Sequence, residues 1–171
     1  MTARGAARPL PRGVAFRPAG LSDAETISAL RRRVWDETYR GVYPDAAIDS
    51  FDFAAHIARD RARISDPAYR VYVIEDGPLP VGYLYFEDRG RVRVQSLYLL
   101  RGYRGRGIGG AAFGLVADYC REKGYGGFTF SCNAHNRPAL GFYEHMGAVE
   151  TGRDVGHENR QEDQISFRIE V

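Results

Sequence analysis

The stretch Gln95–Gly114, QSLYLLRGYRGRGIGGAAFG, most narrows what this chain can become, because a strand-like run enters a glycine-rich turn and leaves it as a helix. Ile108, Ala112, Leu115, Val116 and Tyr119 share one face of that helix, and Gly124 marks its end. Gly105, Gly107, Gly109 and Gly110 let a ligand approach the backbone without Cβ interference. The helix N-terminus adds unpaired N–H donors and the positive end of a dipole. A pyrophosphate suits such a turn, and the six arginines without an acid between Arg89 and Arg106 extend the preference to a polyanionic ligand. Two familiar phosphate loops do not fit. No Gly-Lys-Ser/Thr closes the turn, and the turn follows three strand-like runs rather than the first strand of a parallel βαβ unit. Nucleotide hydrolysis and hydride transfer lose support accordingly.

The rest of the pattern places this turn in a larger fold. Val14–Arg17 is a short extended run, and Ser22-Asp23-Ala24-Glu25 has capping-box spacing before a helix carrying Ile27, Leu30 and Val34 and stopped by Gly41. A second helical stretch is expected between Pro44 and Pro67, with Phe53, Ala54, Ile57, Ala58 and Ile64 as its apolar face. Three strands follow, Tyr69–Glu75, Val81–Glu87 and Arg91–Leu100, divided by Asp-Gly-Pro and Asp-Arg-Gly turns into an antiparallel meander. Phe128–Cys132 is a fifth strand. Pro138 opens a short helix that ends at Gly147, and Ile165, Phe167, Ile169 and Val171 alternate with polar residues as a strand with one buried face. This order predicts an α/β (α+β) fold: a mixed, mostly antiparallel central sheet of six to seven strands flanked by about four helices.

Composition removes several classes of function. With 171 residues, 44% of them hydrophobic, the chain fits one domain, expected over 13–171 behind a flexible basic tail at 1–12. No apolar run approaches the roughly 20 residues of a membrane helix, and the opening segment lacks a signal-peptide core. The net charge of +2 includes Arg4, Arg8 and Arg12 of that tail, so the remainder is about neutral and a dedicated nucleic-acid surface is not expected. Cys120 and Cys132 fit neither a disulfide framework nor a zinc site and read as buried apolar residues in a reducing compartment. No metal is expected, and the location expected is cytoplasmic. Lys123 is the only lysine, and the arginine-alanine-glycine bias is that of a GC-rich bacterial coding sequence.

Arg104-Gly105-Arg106-Gly107-Ile108-Gly109 resembles the acyl-CoA signature of the GNAT superfamily of N-acetyltransferases, Arg/Gln-x-x-Gly-x-Gly/Ala. Asn136-Arg137-Pro138-Ala139-Leu140-Gly141-Phe142-Tyr143 is similar to a second signature of that superfamily, N-x-x-A-x-x-F-Y, and the WDETYRGVYP segment is similar to that of many bacterial members. The resemblance implies acetyl-CoA as cosubstrate and a primary amine of a small molecule or peptide as acceptor. It implies that backbone groups of the Leu97-Tyr98-Leu99 strand segment hold the pantetheine arm, and that N–H groups from Arg104 through Gly110, Ile108 included, take the pyrophosphate. Asn136 would contact the cofactor, and Tyr143 would protonate the departing thiolate as general acid.

The general base is less legible. Where some members carry a strand glutamate, this chain reads Arg93-Val94-Gln95-Ser96, and Glu37, beside Trp35, Tyr39 and Tyr43, is the candidate instead. His135 and His145 flank the second signature and read as surface residues. The missing strand carboxylate supports an alternative: a non-catalytic acyl-CoA-binding regulatory module of the same fold. A peptide- or nucleic-acid-binding domain using the arginine-rich strand fits less well with the near-neutral charge. The alternation of Ile165–Val171 is also compatible with a homodimer contact.

Overall fold

The computed structural model describes residues 9–171; Arg4 and Arg8 of the expected tail lie outside them. Seven strands form one sheet: β1 (Val14–Pro18), β2 (Tyr69–Asp76), β3 (Leu79–Asp88), β4 (Val92–Leu99), β5 (Gly127–Asn133), β6 (Val149–Asp154) and β7 (Gln164–Glu170). Their order is β1-β2-β3-β4-β5-β7-β6, and only β4 and β5 run parallel. Five α-helices flank the sheet: α1 (Ala24–Tyr39), α2 (Asp45–Asp49), α3 (Phe53–Ser65), α4 (Ile108–Lys123) and α5 (Arg137–His145). The expected mixed, mostly antiparallel architecture is therefore the observed one. Among the described residues no helix is long and apolar enough to cross a membrane.

Both faces of the central strands are covered, which explains why β3 reads as a nearly unbroken apolar run instead of an alternating one. Tyr83 and Tyr85 pack with Val73 against Ile27, Leu30 and Val34 of α1. Their neighbours Leu84 and Phe86 point the other way, toward Phe113 and Val116 of α4 and toward Phe128, Phe130 and Phe167. The ring of Phe113 lies 5.3 Å from Phe128 and 5.1 Å from Phe130, so α4 is keyed to β5 by aromatic contacts. Cys120 and Cys132 are buried free thiols, as expected.

Three local expectations are corrected. A 3-10 turn, Leu21–Asp23, precedes α1 and is closed by the Asp23 carboxylate, which accepts the Gly20 N–H at 2.7 Å; α1 itself begins without a side-chain cap, so the Ser22 hydroxyl plays no such part. The helical stretch between Pro44 and Pro67 is two helices, because Asp52 leaves helical geometry and accepts the Ala55 N–H as the N-cap of α3. Within α3 the expected apolar face is also rotated: Phe53, Ala54 and Ala58 are exposed, while Asp60 is buried. Asp60 accepts two bonds from the buried Arg31 guanidinium, at 2.7 and 2.9 Å, and one from the Ser28 hydroxyl at 3.2 Å. Ionic complementarity, more than an apolar stripe, sets how α3 lies on α1. The terminal alternation behaves as expected: Ile165 and Phe167 of β7 are buried, β7 lies between β5 and β6, and β1 and β6 are the sheet edges.

Candidate active site

The parallel neighbours β4 and β5 share only the pairs Val92–Phe128 and Arg93–Thr129, then part. A bulge assists the separation: Val94 faces Phe86 and Ser96 faces Tyr85, leaving Gln95 as the extra residue in β4. The extra residue shifts the phase of the strand, so that both Val94 and Leu97 pack toward the α4 side. Past the bulge, the Leu100 N–H donates to Val81 O at 2.9 Å on the β3 side. Successive amides along a strand point in opposite directions, so those of Leu97 and Leu99 point away from β3 into the gap opposite β5. The result is a wedge into which the Leu97 and Leu99 N–H groups point, while the Leu99 carbonyl is already taken by Arg104.

The turn closes the end of this wedge. Gly105 and Gly107 adopt φ +74° and +82°, a region that favours glycine, and nothing stands within 4 Å of where their Cβ atoms would be. Gly107 caps α4 without a side-chain bond, and Ala111 N–H to Gly107 O is the first helical hydrogen bond. Among the described residues, no protein group accepts an N–H from any residue between Gly105 and Gly110. Such a run of free donors at a helix N-terminus has the geometry that suits an anion. Gly109 has a different constraint: a Cβ there would stand 3.0 Å from the Phe142 ring, so this glycine lets α5 approach α4.

The arginines are distributed otherwise than a simple basic field would require. Arg104 bonds Leu99 O through Nε at 3.0 Å and the Thr38 hydroxyl at 2.8 Å, tying the turn to the end of β4 and the last turn of α1. Arg89 pairs with Asp66 and Glu87, whereas Arg106 lies over the Tyr103 ring. Glu37 accepts the Arg101 N–H at 2.8 Å through Oε2, its other oxygen lies 3.5 Å from Arg33 Nε, and its own carbonyl accepts from the Arg101 guanidinium. Its carboxylate thus docks the turn on α1. Ile108 is a buried core residue and offers only its backbone to a ligand.

Tyr143, on α5, sits at the opened side of β5. Its ring lies 4.6 Å from Phe130 and 5.8 Å from both Phe113 and Phe167. Burial pushes its hydroxyl well above the ordinary phenol value, with Cys132 and Tyr98 acting in the same direction. No protein group hydrogen-bonds that hydroxyl among the described residues. Asn136 caps α5 by accepting the Ala139 N–H at 3.3 Å and donates to the Tyr39 hydroxyl at 3.3 Å. Tyr39 stacks on Tyr43 with 4.2 Å between centroids, and burial pushes Tyr43 up to about 12. Tyr98 is packed against Tyr83 on the α1 side; by the same alternation its amide points to β3, and its ring lies close enough to Tyr39, Tyr43 and Tyr143 to act on them electrostatically.

Beside these tyrosines a cleft of about 440 Å³ opens between the α1–α2 connection, Gly41–Asp45, and residues Glu158–Arg160 of the β6–β7 connection. The latter wall is held by the Asn133 amide, which donates to Arg160 O at 2.8 Å, and by the buried Asp163, which accepts from His135 Nε2 at 2.7 Å and from the His157 N–H at 2.9 Å. His135, expected at the surface, is instead half-buried and bonded to that carboxylate. Its partner lies 28 residues away, and no local pattern joins them.

The profile of the Acetyltransferase (GNAT) family matches residues 29–148, which contain the wedge, the turn and Tyr143. Streptothricin acetyltransferase of Streptomyces lavendulae is 33% identical over 64 residues, covering 37% of this chain and 34% of that protein. Thialysine N-epsilon-acetyltransferase of Mus musculus is 31% identical over 100 residues, or 55% of each chain. The chain thus spans only about a third to a half of these curated relatives. PaiA N-acetyltransferase of Thermoplasma acidophilum, solved in complex with coenzyme A, superposes with a TM-score of 0.79 over 92% of this chain and 99% of that one, at 18% identity.

Proposed function

The chain belongs to the GNAT acetyltransferase family, and from that premise we propose that it transfers an acetyl group from acetyl-CoA directly to a primary amine of a small molecule or peptide. The observation that carries this reading is the run of unpaired N–H groups from Gly105 to Gly110 at the end of the β4–β5 wedge. Those donors fit a pyrophosphate, and the Leu97 and Leu99 amides fit a linear arm that completes the missing strand pairing. Acetyl-CoA supplies an activated thioester carbonyl.

Every other task falls to the chain. An N–H in the wedge stabilises negative charge on the carbonyl oxygen as the amine attacks. Tyr143, protonated at neutral pH because burial disfavours the phenolate, donates its proton to the departing sulfur. Asn136 orients Tyr39, and the Tyr39–Tyr43 pair lines the acceptor side. Glu37 is retained as a catalytic candidate only through a shared bond, since Arg101 already holds its carboxylate. Those engaged oxygens, with Gln95 and Ser96 on β4, favour one competing reading: an acyl-CoA-binding regulatory module without turnover.

Tyr143→Phe separates these readings. It keeps the ring packing and removes the hydroxyl, so the fold and CoA affinity by calorimetric titration should be retained. The single-turnover rate with a competent amine should fall by about 10²-fold. A rate within a factor of about three of the parent removes the acid role, and CoA binding with no amine-dependent thiol release supports the regulatory module.

A further inference from the structure

His135 is the one imidazole in the described structure whose ring is bonded to a buried carboxylate, and that carboxylate also anchors a wall of the acceptor cleft. Asp163 can only accept when ionised, and it is held ionised: the His157 N–H and then His135 keep its carboxyl below the usual range. Nε2 of His135, 2.7 Å away, must therefore carry the proton of this bond. In the neutral ring, that leaves Nδ1 as an unprotonated, basic nitrogen. No protein group bonds Nδ1 among the described residues, and the side chain is 33% exposed.

Its position is fixed from both sides. The next residue, Asn136, bonds Tyr39 of the α1 wall, while His135 itself bonds Asp163 behind the β6–β7 wall. Three residues before His135, Cys132 of β5 lies near Tyr39, Tyr43 and Tyr143, so this end of β5 sits beside those tyrosines. The titratable group bonded to the ring is Asp163, which also accepts the His157 N–H; the His157 ring in turn pairs with Asp154 and Glu162, and Tyr39 is reached through Asn136.

We propose that His135 is the general base of the amine acetyl transfer, with Asp163 setting its tautomer and orientation. The inference rests on the transferase reading above. An ammonium acceptor must lose two protons in all. His135 Nδ1 takes the first and passes it to water, freeing the lone pair that forms the C–N bond as the C–S bond breaks. The second leaves the nitrogen after attack and balances the proton that Tyr143 gives to the sulfur, so the products are the amide, the thiol and one released proton.

His135→Gln tests the assignment, because a glutamine amide can still donate to Asp163 from the Nε2 position but carries no basic nitrogen. With acetyl-CoA affinity unchanged by titration, kcat should fall by about 10²-fold. The acid limb of the parent's kcat/KM profile should give way in the variant to that of the free amine alone. A variant with the parent rate, or with a lower rate but an unchanged acid limb, overturns the base assignment and leaves a clamp. A parent that releases no thiol with any amine overturns the transferase reading and this inference together. Imidazole 15N spectra of the parent decide independently of activity and of the variant's folding: an Nε2–H tautomer supports the proposal, and an Nδ1–H tautomer overturns it.

Discussion

Asp60 and Asp163 are both buried carboxylates with a basic nitrogen 2.7 Å away, yet one partner is an arginine whose charge is fixed and the other a histidine whose charge is not. The Arg31–Asp60 pair is enclosed between α1 and α3, and Ser28 occupies a further lone pair of the carboxylate. Such a pair has no state to change into and acts only by holding two helices in register. The His135–Asp163 pair lies behind the Glu158–Arg160 wall of a cleft, and among the described residues no protein group bonds the other ring nitrogen. Equal burial of the carboxylates therefore says little about role; the chemistry and access of the partner decide it.

The largest effect should come from breaking the closed pair. Arg31→Ala removes both guanidinium bonds to the buried Asp60 and leaves it, as counter-ion, only the more distant Arg63 at 3.6 Å, so unfolding stability should fall by about 3 kcal/mol. Replacing both members with apolar residues, as in Arg31→Met with Asp60→Leu, should recover much of that loss. Urea titrations giving the same midpoint for Arg31→Ala and the parent would show that the pair is dispensable.

A smaller effect, seen in rate more than in folding, should follow from altering the open pair. In Asp163→Asn the amide oxygen keeps the His157 N–H, and its NH2 faces His135 Nε2, which must then become the acceptor. The ring switches to its Nδ1–H form and loses its base. We expect a roughly 10²-fold lower turnover with CoA titration unchanged. Full turnover in the folded variant would erase the distinction between the two carboxylates.

The smallest effect is on stability against pH, through His56, which stacks on Phe51 at 4.0 Å and lies 3.3 Å from Arg31 through Nδ1. Facing a guanidinium, that nitrogen must accept, so the ring stays neutral; burial and then Arg31 depress its pKa. Below the unfolded-state value of about 6.5 the unfolded chain binds a proton that the native state refuses, so stability falls as pH drops. His56→Gln should show a flatter dependence of the urea midpoint between about pH 7 and pH 5. Parallel slopes for the two proteins would remove His56 from the account.

The meander, the turn and α4 were legible because their signals are local. Asp-Gly and Arg-Gly turns bound β2, β3 and β4, and Gly105, Gly107 and Gly124 occupy positive-φ positions that few other residues tolerate. The rotated face of α3 was not legible, since Asp60 breaks the apolar stripe and its reason, Arg31, lies 29 residues earlier. The glycines at 107 and 109 look alike in sequence. Only packing shows that the first serves backbone geometry and the second the approach of Phe142.

Within 95–114, the sequence by itself determined that a strand would hand over to a helix through a turn with free N–H groups, because glycine conformation and hydrogen-bond arithmetic act over a few residues. Tertiary structure alone decided what that turn would face. The β4–β5 wedge, the Asn136–Tyr39 bond and the His135–Asp163 pair each join residues between 28 and 97 positions apart, or depend on one unpaired residue in a strand. Proton-transfer chemistry depends on distances of about 3 Å, and over such separations only the packed sheet and its helices set them.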